Sequence, residues 1–326
     1  MNPVVAGIDV SAKTLVVCVL LADGKRKPIQ VENTPKGHAE LIKLLRKLGM
    51  VKVVCEATGV YHLELAFALI AAQLPLMVVN PRQTHAFMQA RLRNTKTDKV
   101  DAFEIAQFAA RMDFVAWGAP TAQAYALFRL ARAIHGYTEL ATAAKNRLHA
   151  AEAVRQTPKV VIKTLRMELA SYERWIAILT TEALTEIAAD ARLARRYELL
   201  LSVPGIAQSS AVALLGELSV LSDNLSAKAW IKLCGLDPRL EESGSSIHRK
   251  TRISKRGNSK LRGAGFMPAL SARRFDAGLK AFGDRLIANG KTKMQVILAV
   301  ERKLFHGIHA MFRTDKPWDS SLLVKA

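Results

Sequence analysis

Apolar residues fall along this chain in two rhythms. At the N-terminal end they come in short, β-branched blocks: residues 4–10, then 15–21 closed by the Asp23-Gly24 turn, then 29–33. Blocks of this length and branching predict strands, and three in close succession predict a meander. Over residues 37–48 the period lengthens, with Leu41, Leu44, Leu45 and Leu48 on one helical stripe. A buried strand is predicted at 51–55 with Glu56 at its end, a helix at 61–72, and a strand at 76–79 stopped by Asn80-Pro81. The sum is an α/β sheet, a meander followed by βα units, with helices packed on it.

Further on the rhythm becomes helical throughout. Leu127, Leu130, Ile134, Tyr137, Ala141, Ala144 and Leu148 follow a 3-4 spacing. Leu165, Leu169, Tyr172, Ile176, Leu179 and Ala183 repeat it after a break at Pro158. That is the seam of a coiled coil or helical hairpin, serving either self-association or packing within one protomer. Residues 199–218 read as helix, V-P-G-I turn, helix. Such a unit is either a helix-hairpin-helix that offers N–H groups to a phosphate or a plain helical corner. Residues 239–246 read as a flexible polar loop, and 282–312 as one amphipathic helix rich in Lys and Arg. His306 and His309 on it are expected at the surface, and Trp318 is expected to anchor the end of the chain. The domain boundaries that follow are 1–118, 119–195 and 196–326.

Composition changes the picture in one respect. The 326 residues are half hydrophobic, enough for more than one core, yet carry a formal net charge of +20. An excess of that size points to a polyanionic partner such as nucleic acid. A membrane is the poorer partner, because the apolar stretch 65–79 is interrupted by Gln73 and Pro75. Cys18, Cys55 and Cys234 lie far apart without metal-ligand spacing and read as buried thiols of a reducing compartment. The first residues lack the basic region and cleavage site of a leader, so the expected location is the cytoplasm.

Against that basic background a few acids stand out. In N-T-K-T-D-K-V-D-A (94–102), Asp98 and Asp101 are three apart at a helix start, so both carboxylates can face one spot. Hard carboxylate oxygens suit Mg²⁺ bound against a phosphate. Arg91, Arg93, Lys96 and Lys99 crowd the same stretch. Asp9 lies in or at the end of one predicted strand and Glu56 at the end of another, where α/β sheets collect their sites. Asp9 beginning a turn and Glu56 capping a helix is the structural alternative. Farther on, Arg249, Lys250, Arg252, Lys255, Arg256, Lys260 and Arg262 form a run without an acid, suited to gripping phosphates. The serines just before it, Ser243, Ser245 and Ser246, are either turn residues or a nucleophile towards phosphorus.

Together these residues carry a family resemblance. G-I-D-V-S-A-K at 7–13, E-A-T-G-V-Y at 56–61, N-P at 80–81, N-T-K-T-D-K-V-D-A at 94–102, V-P-G-I at 203–206, G-L-D-P at 235–238, E-S-G-S-S at 242–246 and N-G-K at 289–291 occur in order. The chain resembles the DEDD transposases of the insertion sequence one-ten family, whose relatives include the Piv-type pilin-gene invertases. The resemblance implies a RuvC-like (RNase H fold) N-terminal domain, an α-helical coiled-coil connector and a mainly α-helical C-terminal transposase domain. It places an acidic quartet binding Mg²⁺ (or Mn²⁺) on Asp9, Glu56, Asp98 and Asp101, and the family's serine on Ser243. It further implies donor and target DNA as substrates, a noncoding bridge RNA as guide and a prokaryotic, nucleoid-associated setting, while the helical seam makes a homo-oligomer, dimer or tetramer, the expected assembly. The expected activity is transposition by strand cleavage and exchange through a phosphoserine ester. A hydrolytic junction nuclease that uses only the quartet, and a basic RNA- or DNA-binding scaffold without chemistry, are the competing readings.

Overall fold

A computed structural model describes residues 4–49, 51–91, 97–239, 242–243, 247–248 and 252–321. The chain divides into two compact units, Met1–Ala119 and Pro120–Ala326.

The first unit opens with β1 (Val4–Val10), β2 (Thr14–Leu20) and β3 (Arg26–Glu32), each pairing antiparallel with the next. Then come α1 (Pro35–Lys47), β4 (Val51–Glu56), α2 (Leu63–Ala71), β5 (Leu76–Val79), α3 (Pro81–Ala90) and α4 (Asp98–Arg111). β4 joins β1 in parallel and β5 joins β4 in parallel, giving the order β3-β2-β1-β4-β5. A meander extended by two parallel strands across β1 is the expected RNase H-type arrangement. Strand alternation divides the side chains between two layers. Ile8, Leu15, Val17, Val53 and Cys55 face α1 and α2 through Leu41, Leu45, Leu65 and Leu69. Val5, Val54 and Val79 face α4 through Ile105 and Phe108, and Val16 and Cys18 meet Ala102 and Phe103.

Glycine at one position decides how closely α4 lies on the sheet. A Cβ on Gly7 would stand 2.2 Å from the Ala106 nitrogen and 2.4 Å from the Ala102 carbonyl oxygen. The helix backbone therefore rests on the bare backbone of β1. Helix α3 is absent from the pattern of apolar residues, and Asn80-Pro81, expected only to stop a strand, also starts this helix. Asn80 caps it by accepting from the Arg82 N–H at 2.9 Å, and Pro81 occupies its first turn.

The second unit is helical: α5 (Ala122–Glu152), α6 (Lys159–Ala189), α7 (Ala191–Leu201), α8 (Gln208–Ser219), α9 (Ala227–Cys234), α10 (Ser259–Phe275), α11 (Ala277–Ala288) and α12 (Lys293–Thr314). α5 and α6 form an antiparallel hairpin along the seam read from the spacing. Tyr137 stacks near Tyr172 and Trp175, and Arg147–Glu168 (2.8 Å) and Arg166–Glu152 (2.7 Å) clasp the far end. The base of α5 belongs to the core of the unit: Leu127 is buried there, and Gly216 of α8 abuts Ala131 where a Cβ would lie 2.4 Å away.

At the V-P-G-I turn Gly205 has φ +95°, and a Cβ there would sit 2.7 Å from the Ser271 Cβ, so the turn packs on α10. Several expectations are corrected. The 282–312 segment is not one helix. It breaks at Asn289-Gly290 (φ +76°) and restarts with a capping box of Thr292 and Gln295. His309 is not a surface residue, since its Nε2 lies 2.9 Å from the Leu225 carbonyl and its ring meets Trp230 edge-on. The polar loop after α9 is partly extended. β6 (Pro238–Arg239) pairs with β9 (Arg252–Ile253), and β7 (Glu242–Ser243) with β8 (Ile247–His248). Trp318 does anchor the chain end, its indole N–H donating to Asp276 at 2.8 Å and its backbone N–H to Ser202 at 3.0 Å.

Candidate active site

Sheet register brings the first two acids together. Ile8 of β1 is in register with Cys55 of the parallel β4, so the next residues along, Asp9 and Glu56, stand side by side at the carboxyl ends of both strands. Asp9 shares the face of Gly7, the face on which α4 lies. Helix α4 begins at Asp98, capped by Thr97, whose hydroxyl accepts from the Val100 N–H at 3.3 Å. Asp98 and Asp101 both fall in its first turn, where the helix dipole favours negative charge. Asp98 is exposed and Asp101 half-buried.

Asp9 registers all of these neighbours. Its carboxyl is pushed up to about 6, first by burial, then by the charges of Asp101, Asp98 and Glu56; the Val10 backbone N–H pulls in the other direction. Four carboxylates thus share one electrostatic neighbourhood. Among the described residues, no three or more His, Cys, Asp or Glu side chains close into a ready-made metal cage. The donor chemistry nevertheless suits a hard divalent cation, which would relieve the crowding that Asp9 feels. Glu56 has a partner that the pattern of acids did not indicate. The hydroxyl of Thr84, buried on α3, donates to its Oε1. Thr84 lies one helical turn beyond the Asn80-Pro81 start, the signal that would have placed it.

The predicted phosphate-gripping residues divide into two groups. Arg91 is engaged within its own unit: Nε lies 3.2 Å from the buried Glu104 carboxylate, Nη1 donates to Gln107 at 3.2 Å, and the guanidinium lies over Phe87. Lys260 is 3.4 Å from Glu139, and Arg262 donates from Nη1 to the Cys234 carbonyl at 2.8 Å. Arg252, Lys255 and Arg256 are exposed, with Lys255 in the left-handed region at φ +52°. Arg93, Lys96, Arg249 and Lys250 lie outside the described residues, as do Ser245 and Ser246. The backbone of Ser243 is paired with Ile247 in the β7–β8 ladder. Sequence reasoning also passed over Glu217 of α8. Buried, it accepts from Arg132 and from Asn258, the residue that caps α10 and so fixes where the basic run enters a helix.

No described helix is long and apolar enough to cross a membrane. Comparison with known proteins gives matches along most of the chain. Residues 6–153 match a family model described as a transposase, of the DEDD type, and residues 197–284 match the model of the transposase IS116/IS110/IS902 family. The chain is 28% identical over 331 aligned residues to the pilin gene-inverting protein of Moraxella bovis, with 99% of both chains covered. The pilin gene-inverting protein of Moraxella lacunata matches with the same identity and coverage, 28% and 99%. An uncharacterised 43.6 kDa protein of insertion element IS110 from Streptomyces coelicolor is 29% identical over 38% of this chain and 30% of its own. Among solved structures, Thermus thermophilus RuvC in complex with a Holliday junction substrate aligns with 35% of this chain and 98% of its own, at 22% identity and a TM-score of 0.26.

Proposed function

Because the chain belongs to the IS110 family of transposases, we propose that it cuts and rejoins DNA through a serine ester, with Asp9, Glu56, Asp98 and Asp101 holding a divalent metal and Ser243 as nucleophile. The observation that carries this reading is the shared neighbourhood of the four carboxylates, three of which raise Asp9. In a protein of net charge +20 that binds a polyanion, clustered acids oppose binding unless a cation sits among them. A bound Mg²⁺ (or Mn²⁺) would neutralise charge on the scissile phosphate and on the leaving oxygen.

The residues of the chain supply the rest. The Ser243 hydroxyl attacks phosphorus, its proton passing to a base, and the bond to one strand's oxygen is exchanged for a bond to Oγ. The departing oxygen leaves as a protonated hydroxyl. Attack by a hydroxyl of a second strand reverses the exchange and restores the serine, so no bond energy is lost to water. Exposed Arg252, Lys255 and Arg256, with Arg249 and Lys250 from the same run, hold the phosphates. Pairing of a noncoding RNA with donor and target DNA selects the sites, and the protein works as a dimer or tetramer.

The experiment is a strand-transfer assay with Mg²⁺, labelled junction DNA and RNA transcribed from the sequence flanking the gene, resolved on a denaturing protein gel. The wild type is expected to give a DNA-linked protein band that both Ser243→Ala and Asp101→Asn lose. Free cut DNA without such a band, and unchanged in Ser243→Ala, would identify a hydrolytic nuclease instead.

A further inference from the structure

The second unit contains a cleft of about 810 Å³ between the turn after α9, strand β9, α10 and α12. Leu236, Phe266 and Leu298 make its walls apolar, while Arg252, Lys255 and Arg302 make its rim basic. Glu301 belongs to the lining, yet its side chain is 0% exposed. Its two carboxyl oxygens have no hydrogen-bond partner among the described residues. The other buried acids of this unit are satisfied: Glu217 by Arg132 and Asn258, and Asp276 by the Trp318 indole and the Leu279 N–H. Buried polar groups without partners are rare because each forfeits its hydration.

Its surroundings keep Glu301 in this condition. Its Oε1 lies 3.0 Å from the position that a Cβ on Gly265 would take, so a larger residue there would displace the carboxyl. Burial pushes it up to about 8, against the pull of Arg262, so at neutral pH it is mainly a neutral acid. A neutral carboxyl offers one donor and one acceptor side by side. The hydrogen-bonding edge of a nucleobase offers the complementary pair, and a flat apolar wall under a cationic rim fits the remainder of a nucleotide.

We propose that this cleft receives one unpaired nucleobase of the bound nucleic acid, stacked on Phe266 and hydrogen-bonded to Glu301, with its phosphate on Arg252 and Lys255. The inference rests on the reading of the chain as a DNA- and RNA-handling enzyme. Chain topology gives the cleft a place in that reading. Arg252 belongs to β9, which pairs with β6, and these two strands bracket the segment that carries Ser243. A nucleotide seated here would hold its strand at the base of that segment.

The test uses the full chain and short single-stranded DNA and RNA oligonucleotides, each with one 2-aminopurine, beside fully paired duplexes. Wild-type protein is expected to change the 2-aminopurine fluorescence of at least one single strand. Phe266→Ala and Glu301→Leu should abolish that change and weaken single-strand binding about tenfold, leaving duplex affinity within about twofold. Glu301→Gln, which keeps a donor and an acceptor, should retain it. Gly263→Leu guards against misfolding, because a Cβ at Gly263, on the cleft wall, meets nothing within 4 Å. It should block the cleft while the protein stays folded. A response from DNA alone or RNA alone identifies the source of the nucleotide. Variants that bind both single strands as the wild type does would overturn the cleft proposal and leave the proposed function standing. A wild type that binds no nucleic acid in any form would sink both.

Discussion

The acidic group and the segment that carries Ser243 are built on opposite plans. Asp9 and Glu56 are set by the register of two central strands, and Asp98 and Asp101 by a capped helix whose backbone rests on Gly7. Moving any of these carboxylates means moving a sheet or a helix. Ser243 instead sits in a ladder of two residues per strand, enclosed in sequence by the β6–β9 ladder of equal length. Groups that share a metal must be held within a fraction of an ångström, since a misplacement of about 1 Å costs about a hundredfold. On the proposed function, Ser243 would be carried on DNA and released again, and would gain from a support that costs little to move. On that proposal rigidity is placed where the metal-binding charges must be fixed.

Removing chemistry from either side should show the largest effects. Asp101→Asn and Ser243→Ala should each lower strand transfer by at least about 10³-fold, as removal of a charge-stabilising or attacking group does elsewhere. Only the first should change the response to metal. Mg²⁺ should raise the unfolding temperature of the wild type and of Ser243→Ala, by linkage, and fail to do so for Asp101→Asn. Calorimetry with and without Mg²⁺ decides this, and equal metal-dependent shifts in all three proteins would remove the quartet from metal binding.

Gly7→Ala probes the rigid plan without touching an acid. Its Cβ would stand 2.2 Å from backbone, with no flexible side chain to yield, so α4 must shift and carry Asp98 and Asp101 with it. Strand transfer should fall about a hundredfold, with a stability loss of about 1–3 kcal/mol in chemical denaturation. Wild-type activity in Gly7→Ala would show that the acids tolerate displacement.

Smaller effects separate the basic residues. Arg252→Ala should lower the slope of log affinity against log salt by about 1 in duplex binding, with little change in stability. Arg91→Ala should do the reverse, because it leaves the buried Glu104 carboxylate without its 3.2 Å partner.

This division also marks what the sequence made legible. The strands β1, β2, β4 and β5 followed from short β-branched apolar blocks, because helices cover the sheet on both faces, and the hairpin seam followed from its 3-4 period. Asp9, Glu56, Asp98 and Asp101 could be singled out because acids at strand ends and in the first turn of a helix stand against an apolar or basic background. Thr84, Glu104 and Glu217 were illegible. Their partners lie 28 residues (Glu56), 13 residues (Arg91) and 85 residues (Arg132) away, and no local spacing encodes such a contact. The break at Asn289-Gly290 was missed for a different reason. Apolar residues on both sides keep helical spacing, and only the left-handed glycine marks the stop. Of the basic run, charge was legible, but not that Lys260 and Arg262 turn back to Glu139 and the Cys234 carbonyl.

The smallest expected effect contrasts two raised acids, one in each unit. Asp9 is raised partly by neighbouring charge, so a cation can return it to its ionised form. Glu301 is raised by burial, against the pull of Arg262, and no metal should relieve it. Its ordinary value of 4.5 becomes about 8 in the fold. Between those values the native state holds a proton that the unfolded chain has released. This group's stabilising contribution is therefore full below about pH 4.5 and is lost progressively as pH rises through 8. Glu301→Gln removes the titration, so its unfolding temperature should fall less than that of the wild type between pH 5 and 8, by a few degrees, with or without Mg²⁺. Parallel pH profiles for the two proteins would mean that the Glu301 carboxyl is solvated in the cleft, and the contrast between the two acids would then disappear.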